Sequence, residues 1–260
     1  MRIVLGDRAM TLQLMSPPVT VREDAYVTHV RQLMRDGHRS LPVVDSQSRV
    51  KGMVILTDII KVTSTKSDVT VIGFVRETGL ANSDFAPLDV ARIFATTGFD
   101  VPVVKSQEDY TIIGVIDSAL LLNALSFDKK TTIDAVMTSA VRTCDATDPV
   151  SKVWLNMAQY GFSGYPVVKK RRLIGIVTLQ DILKAGHIRL EREDERGGGR
   201  VHSPAVEKIM KTPVITVASD SSIWEAANLM KQYAIGRLPV VEDTKLIGIV
   251  DRQDLVRAVI

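Results

Sequence analysis

The chain has 260 residues, of which 45% are hydrophobic, 24% are charged and 5% are aromatic. This composition is typical of globular proteins and excludes a disordered chain, and the scarcity of aromatic residues requires a core of aliphatic side chains. The net charge of +3 arises from 33 basic and 30 acidic residues that are mixed along the sequence, which argues against a concentrated basic surface for nucleic acid.

A Leu/Val/Tyr-Pro-Val-Val tetrad occurs four times, and a glycine followed by aliphatic residues comes 9 to 12 positions after each of the four prolines. One such match has little meaning, but four in register predict a fourfold internal repeat. The tetrads begin at Leu41, Val101, Tyr165 and Leu238, and the glycines are Gly52, Gly114, Gly175 and Gly248.

The first repeat shows the order of elements that the repeats share. A β-branched run at Val19–Val21 is followed by apolar residues at helical spacing within Val27–Met34. The Pro-Val-Val and Gly-containing runs predict two strands joined by a polar hairpin at Asp45–Lys51, and a second helix is predicted to begin at Asp58. The order β-α-β-β-α implies a right-handed parallel crossover to which one antiparallel strand is added.

The later repeats follow the same order. β-branched runs at Val141–Thr143 and Val214–Val217 precede the third and fourth tetrads, and Ile223–Met230 has helical spacing. Second helices are predicted to begin at Asp181 and Asp254. The whole chain is therefore expected to have an α/β fold made of four tandem units.

A repeat of about sixty residues is too small to bury a core alone, so the repeats should pack in pairs through their apolar faces. The short polar segment 126–132 separates two such pairs, and segment 189–202 is charged and then rich in glycine, as is typical of a solvated linker rather than of a binding arm. We place the repeats at 8–64, 65–125, 130–188 and 203–260.

Cys144 is the only cysteine, so no disulfide can form within the chain, and no His or Cys lies near it at metal-ligand spacing. The segment Met1–Met15 contains charged residues and no long apolar stretch, so it does not predict a signal peptide. No run approaches 18 apolar residues, since Asp58 interrupts even Gly52–Ile60. We therefore expect a cytoplasmic protein that does not bind a membrane.

The tetrads and the Gly-containing runs resemble the cystathionine-β-synthase (CBS) domain family, in which two repeats form a Bateman module. Four repeats in one chain look like the regulatory gamma subunit of AMP-activated protein kinase and its archaeal relatives. The resemblance covers roughly 14–260 and implies four CBS repeats paired into two Bateman modules, with no separate catalytic domain. It also implies a non-catalytic protein that binds AMP, ADP or ATP in clefts between paired repeats, as an energy or ligand sensor for a partner.

In the resembled family, adenine lies in a slot lined by the Pro-Val-Val strand and the first β-run. The ribose is held by an Asp at the start of the second helix, three residues after a Ser or Thr. The third repeat has this full pattern, in Thr178 and Asp181. The other repeats depart from it: the first has Ile55 and Asp58, the fourth has Asp251 and Asp254, and the second has Asp117 and Leu120.

A carboxylate can accept hydrogen bonds from both ribose hydroxyls, each worth about 1.5–3 kcal/mol, so its loss would weaken binding roughly 10- to 100-fold. Free N–H groups at the helix start favour a phosphate. On these grounds the third repeat has the most complete site, the first and fourth follow, and the second should be empty or occupied differently. Thr178 and Asp181 also fit a helix capping box, and the two roles can coexist.

Basic residues near the first and fourth tetrads are candidates for phosphate contacts, although each could equally be a surface side chain on a turn. The predicted nucleotide-binding residues are Thr20, His38, Arg39, Pro42, Thr57, Asp58, Thr143, Gly164, Tyr165, Pro166, Thr178, Gln180, Asp181, Thr216, Gly236, Arg237, Leu238, Pro239, Arg252 and Asp254.

Other functions have weaker support in the sequence. An enzyme is not expected, because no nucleophile–base pair, metal-ligand cluster or glycine-rich phosphate loop is present, and no cofactor or metal is predicted. An interaction scaffold with degenerate pockets is the main alternative. Nucleic-acid binding through Lys169–Arg172 and Arg189–Arg200 is the weakest, since Lys169–Arg172 fits a solvated turn. The expected partners are adenine nucleotides, a regulated protein and a second copy of the chain in a homodimer.

Overall fold

The computed structural model describes residues 13–62, 68–170, 172–186, 203–243 and 245–260. Within these ranges the chain forms four small units, each built around an antiparallel strand pair that contains a Pro-Val-Val tetrad and the Gly-containing run after it. The predicted charged linker, 189–202, lies outside the described residues.

Unit 1 comprises β1 (Val21–Arg22), α1 (Val27–Arg35), β2 (Ser40–Val44), β3 (Val50–Ile55) and α2 (Leu56–Ile59). Helix α1 buries Val27, Val30 and Met34 on one face, which is the face predicted by the helical spacing of its apolar residues.

Unit 2 comprises a 3₁₀ turn (Val71–Phe74), α3 (Pro87–Thr97), β4 (Val101–Val104), β5 (Ile112–Ile116) and α4 (Ser118–Ala124). Its described residues include no counterpart of β1. A single parallel bridge between Ala81 and Val103 takes that place, so this unit has a two-stranded sheet.

Units 3 and 4 repeat the order of unit 1, each after a 3₁₀ turn. Unit 3 comprises the turn Ile133–Ala135, β6 (Cys144–Asp145), α5 (Val150–Tyr160), β7 (Gly164–Lys169), β8 (Arg172–Thr178) and α6 (Leu179–Lys184). Unit 4 comprises the turn Val206–Lys208, β9 (Val217–Ala218), α7 (Ile223–Gln232), β10 (Arg237–Glu242), β11 (Lys245–Asp251) and α8 (Arg252–Arg257).

The sheets of units 1, 3 and 4 have the same topology. The short first strand lies parallel to the tetrad strand, and the tetrad strand lies antiparallel to the Gly-containing strand. In unit 1, Val43 pairs with Val21 on one side and with Gly52 on the other. All four tetrad strands shift register between their two valines. The β-α-β-β-α order and the hairpins predicted from the sequence are present in these three units.

The first strands begin later than the β-branched runs that predicted them. Strands β1 and β6 start at Val21 and Cys144 rather than at Val19 and Val141, and β9 starts at Val217. The difference arises because each first strand has only two paired residues, which lie at the end of the predicted run or directly after it.

The second helices begin earlier than predicted. Helices α2, α6 and α8 each start two residues before the acidic residue that we took as the first. Asp58, Asp181 and Asp254 therefore occupy the third helical position, where a carboxylate can accept a hydrogen bond from the backbone N–H before the helix.

A short segment near the start of each unit crosses over to a neighbouring unit, where it pairs with the free edge of the Gly-containing strand and covers its glycine. Arg76 exchanges two backbone hydrogen bonds with Met53, with N–O distances of 2.8 and 2.9 Å, and Val75 packs against Gly52. We call these the crossing segments. They are Met15–Ser16, Val75–Arg76, Met137–Thr138 and Met210–Lys211, which lie over Gly114, Gly52, Gly248 and Gly175, respectively.

The crossing segments explain why each repeat has a glycine at this position. A Cβ atom on Gly175 would stand 2.7 Å from Met210 Sδ and 2.9 Å from the carbonyl oxygen of Lys211, closer than atoms pack. The exchange is reciprocal, because units 1 and 2 cover each other and units 3 and 4 cover each other. Neighbouring repeats therefore pair as predicted, but they do so through the crossing segments, because the apolar helix faces that we expected to join them connect unit 1 with unit 3 and unit 2 with unit 4.

Two hydrophobic cores join these pairs through their helices. In one core, Met34 and Ile59 of unit 1 pack with Trp154 and Ile182 of unit 3. The other core combines helices of unit 2 with helices of unit 4. Each unit thus contacts one neighbour through a crossing segment and another through its helices, which closes the four units around a common centre.

We expect Gly52→Ala to destabilise the protein strongly. The new Cβ atom would stand 2.6 Å from Val75 Cγ1 and would also clash with the carbonyl oxygen of Arg76, at a φ of +150° that disfavours side chains. The free energy of unfolding, measured with urea, should fall by about 2–4 kcal/mol. Gly73→Ala is the control, because nothing lies within 4 Å of the added atom. Equal losses in both variants would contradict the role of the crossing segment.

Candidate functional site

A cavity of about 370 Å³ lies where the four units meet. Its walls come from the residues before each tetrad and from the starts of the second helices. Unit 1 contributes Arg39 and Ser40, unit 2 contributes Asp100 and Ser118, unit 3 contributes Ser163 and Gly164, and unit 4 contributes Gly236, Arg237 and Arg252, among others. A molecule in this cavity would contact all four units at once.

Two arginines of unit 4 extend into this cavity and are held by neighbouring units. Arg237 donates a hydrogen bond to Ser163 Oγ of unit 3, at 2.6 Å. Arg252 donates to Ser118 Oγ of unit 2 and to the carbonyl oxygen of Ile235, both at 3.1 Å. Their positions are therefore fixed by contacts between units, with neutral partners.

A third arginine, Arg39 of unit 1, also lines the cavity and lies near the two arginines of unit 4. A Cβ atom on Gly236 would stand 3.1 Å from Arg39 Nη1, and one on Gly164 would collide with the guanidinium of Arg237. These two glycines therefore leave the space that the arginines fill. Among the described residues, no carboxylate lies within 4.0 Å of the charged nitrogens of these three arginines.

Burial and mutual repulsion act on these cations. Burial, together with the nearby charge of Arg39, lowers the pKa of Arg237 to about 9, so this guanidinium stays cationic at neutral pH. Burial and Arg39 also lower the pKa of Arg252, whose Nε is buried with no hydrogen-bond partner in the described part of the chain. Partly desolvated cations without paired carboxylates favour an anionic ligand.

A carboxyl group lies on the unit 2 side of the cavity. Asp100 accepts hydrogen bonds from Ser40 Oγ at 2.8 Å and from the backbone N–H of Ser118 at 3.3 Å. Burial raises the pKa of Asp100, although the hydrogen bond from Ser40 opposes this shift. The charges of Asp100 and of Asp251, which also lines the cavity, act on Arg252 without pairing with it, so these carboxylates offset part of the positive charge of the cavity.

The helix starts of units 3 and 4 carry capping boxes. Thr178 Oγ1 accepts from the N–H of Asp181 at 3.2 Å, and Asp181 Oδ2 accepts from Thr178 Oγ1 and N, at 2.6 and 2.9 Å. Asp251 and Asp254 form the equivalent box in unit 4. The capping role that the sequence suggested is thus present, and it uses only one carboxylate oxygen of Asp181.

The second helices of units 1 and 2 begin without the capping box seen in units 3 and 4. Ile55 provides no side-chain cap to α2. Both oxygens of Asp58 are engaged: Arg76 Nε donates to Oδ2 at 2.6 Å, Arg76 Nη2 donates to Oδ1 at 3.0 Å, and Lys61 Nζ donates to Oδ1 at 2.7 Å. In unit 2, Asp117 caps α4 through the N–H groups of the next turn.

The central cavity brings together nine of the predicted nucleotide-binding residues. They are Arg39, Thr57, Gly164, Thr178, Gln180, Gly236, Arg237, Arg252 and Asp254. The other predicted residues lie outside the lining of this cavity: Thr20, His38, Pro42, Asp58, Thr143, Tyr165, Pro166, Asp181, Thr216, Leu238 and Pro239.

Three of the threonines outside the cavity stand next to tetrad prolines. Thr143 directly precedes Cys144, which pairs with Val167, so Thr143 lies beside Pro166 on the neighbouring strand. The same register places Thr20 beside Pro42 and Thr216 beside Pro239.

Gln180, which we predicted as a ligand contact, is used within the protein. Its Nε2 donates to the carbonyl oxygens of Met34 and Arg35 at the end of α1, at 2.8 and 3.0 Å. Gln253 makes the corresponding bond from unit 4 to Ala95 of unit 2, at 3.0 Å. These glutamines hold together the unit pairs that share a helical core.

Several cavity residues were not predicted from the sequence, chiefly Ser40, Asp100, Ser118 and Ser163. A signal for two of them was available. Ser40 and Asp100 directly precede their tetrads, at the position that Arg237 occupies in the fourth repeat, so an alignment of the repeats marks them. Ser118 and Ser163 act through contacts between units, which the sequence does not reveal.

The described ranges contain no group of three or more His, Cys, Asp or Glu side chains arranged to hold a metal ion. Burial raises the pKa of the Cys144 thiol to about 12, which keeps it protonated and poorly nucleophilic. None of the helices in the described part of the chain is both long and apolar enough to span a bilayer.

We expect Asp254→Asn to stabilise the protein above pH 6 and not below pH 4. Burial and the neighbouring Asp251 raise the pKa of Asp254 to about 6, so the folded state holds a proton that the unfolded state releases near pH 4. The resulting stability is lost as the pH rises through 6, and the neutral amide avoids this loss. Urea unfolding at pH 7.5 should show a gain of about 1 kcal/mol. An equal gain at pH 7.5 and below pH 4 would contradict the raised pKa of Asp254.

The chain resembles archaeal proteins over most of its length. A Thermofilum pendens protein described as a 33.4 kDa protein in the ribosomal RNA operon is 25% identical over 246 residues, covering 85% of this chain and 80% of that protein. Protein MJ1404 of Methanocaldococcus jannaschii is 27% identical over 275 residues, which cover 99% of this chain and 63% of the length of MJ1404.

Solved structures share the arrangement of the four units. The crystal structure of MJ1225 from Methanocaldococcus jannaschii, described as a proposed archaeal homologue of g-AMPK, has a TM-score of 0.78 at 23% identity and covers 95% of this chain and 99% of that one. A Pyrococcus horikoshii protein has a TM-score of 0.64 at 21% identity, with both chains fully covered.

A family model for the CBS domain matches residues 11–64, 133–188 and 206–260, which together make up more than half of the chain. The matched ranges contain the sheets of units 1, 3 and 4, the three that share one topology. The chain therefore belongs to the CBS domain family, and its four units form two CBS pairs, as the sequence predicts.

Proposed function

We propose that this chain is a non-catalytic regulatory protein that binds adenine nucleotides and places their phosphate groups in the central cavity. The observation that carries the proposal is the convergence of Arg39, Arg237 and Arg252 on one cavity without paired carboxylates. Guanidinium groups bind phosphate through paired N–H donors, and an anion would offset the charge that burial makes costly.

The cavity volume supports a ligand of nucleotide size. At about 370 Å³ the cavity lies within the usual range of small-molecule sites, which is roughly 300–1,000 Å³. Three cationic guanidinium groups provide more hydrogen-bond donors and more charge than a neutral hydroxyl or carbonyl group can use. A phosphate, which is anionic and has several acceptor oxygens, fits them better.

The nucleoside part of the ligand would lie at the helix starts of units 3 and 4. Asp181 has one oxygen outside its capping box, and Asp254 lines the cavity itself. Either carboxylate could accept hydrogen bonds from ribose hydroxyls. Membership of the CBS domain family also supports an adenosine-containing ligand.

A regulatory role follows from where the ligand would bind. The cavity is lined by all four units, so a ligand there would favour one relative packing of the two CBS pairs. A partner protein could recognise that packing. An enzymatic role has no support from the cavity, whose serines and Asp100 are arranged as hydrogen-bond partners of one another and of the arginines.

The first test compares AMP with adenosine. Purified protein that has been freed of nucleotide should bind AMP, ADP or ATP saturably at sub-millimolar concentration in a calorimetric titration. Adenosine should bind at least about tenfold more weakly, because it cannot pair with the arginines. Absence of saturation by all three nucleotides would refute the proposal, and a stable protein partner in a pull-down would then favour the scaffold alternative.

The second test removes one cavity arginine. Arg237→Ala should lower the affinity for AMP roughly 10- to 100-fold, because a charge-assisted hydrogen bond to phosphate is lost. The affinity for adenosine should change little. Arg92→Ala is the matched control, since Arg92 is an exposed residue of α3 that pairs with Asp89. An equal loss for AMP and adenosine would show that Arg237 does not contact the phosphate.

A further inference from the structure

Three units present a carboxylate at the third position of the second helix, and these carboxylates are equally buried in units 1 and 3. The side chains of Asp58 and Asp181 are 9% and 10% exposed, respectively. Exposure therefore does not separate them. Their hydrogen-bond partners do: Arg76 of a crossing segment binds Asp58, whereas Asp181 accepts its hydrogen bonds from Thr178 in its own capping box.

In unit 1, the crossing segment occupies both oxygens of the Asp58 carboxylate. Arg76 binds both oxygens of Asp58, at 2.6 and 3.0 Å, in the paired geometry that is strongest for a guanidinium and a carboxylate. Lys61 adds a third donor at 2.7 Å. Burial alone would raise the pKa of Asp58, but the bonds from Arg76 and Lys61 outweigh it and lower the pKa.

In unit 3, the equivalent crossing segment makes only one contact with the Asp181 carboxylate. Lys211 occupies the position of Arg76, and its Nζ stands 3.4 Å from Asp181 Oδ1. This single contact comes from a side chain that is 65% exposed, so a ligand can displace it easily. In unit 4, the crossing segment ends in Thr138, which supplies no charge to Asp254.

The backbone holds Arg76 in place. Its N–H and carbonyl groups pair with Met53, and its carbonyl oxygen covers Gly52, so the residue cannot move away without opening the contact between units 1 and 2. Its guanidinium also lies 6.0 Å from the centre of the Phe99 ring, which lines the cavity. Arg76 is thus anchored at both ends.

We propose that Arg76 occupies the ribose position of unit 1 as an internal substitute for ligand, so that nucleotide binds through units 3 and 4 and the first CBS pair serves as a fixed frame. This inference rests on the proposed function. Arg76 would thus prevent nucleotide binding in unit 1, whereas Lys211, at the equivalent position in the second pair, would allow it in unit 3.

The main experiment counts the AMP molecules bound per chain by equilibrium dialysis. Arg76→Ala should bind one more AMP per chain than the parent protein, because it frees both oxygens of Asp58. Lys211→Ala is the matched control at the equivalent position and should leave the number unchanged. Arg76→Ala combined with Asp58→Asn should return to the parent number. An unchanged number in Arg76→Ala would overturn the inference.

Conservative variants of the carboxylates provide a second measurement that does not depend on the folding of Arg76→Ala. Asp181→Asn should weaken AMP binding roughly 10- to 100-fold at one site. Asp58→Asn should leave both the number of bound AMP molecules and their affinity unchanged, although it removes an ion pair. If Asp58→Asn loses a bound AMP, the inference is wrong. If the parent protein binds no AMP at all, the proposed function itself fails, which is a distinct result.

Discussion

Each unit leaves one edge of its Gly-containing strand unpaired, and a segment from the neighbouring unit pairs with it. The contact needs a residue without a side chain, since Val75 and the methionines of the other crossing segments occupy the space that a Cβ atom would take. It also satisfies two backbone groups of the strand in every pair. The pairing of units, the position of the helices and the central cavity all depend on this reciprocal cover.

The closed arrangement of four units creates the electrostatic character of the cavity. Arg237 and Arg252 are held by Ser163 and Ser118, which belong to units 3 and 2. Arginines in such positions lose water without gaining a carboxylate, and their charge is best offset by an anion from solution. The same assembly that buries the aliphatic cores therefore concentrates positive charge at one point.

The sequence predicted the fold well and the site only in part. Tetrads, glycines and helical spacing were sufficient for the strand pairs and the pairing of adjacent repeats. They could not identify the shared cores, because an apolar helix face such as that of α1 does not specify which helix it meets. They also could not show that Asp58 is occupied, since Arg76 reaches it only through the crossing of two units. The sequence separates Asp58 from Asp181 only by the preceding Ile55 and Thr178, and the tertiary contacts add that both oxygens of Asp58 are occupied.

The most direct measurement is a crystal structure of the protein grown with AMP. We predict that the phosphate oxygens lie within hydrogen-bond distance of Arg39, Arg237 or Arg252 in the central cavity. The ribose hydroxyls should contact Asp181 or Asp254, with Arg76 still bound to Asp58. A phosphate bound away from the cavity, with the three arginines unchanged, would contradict the account.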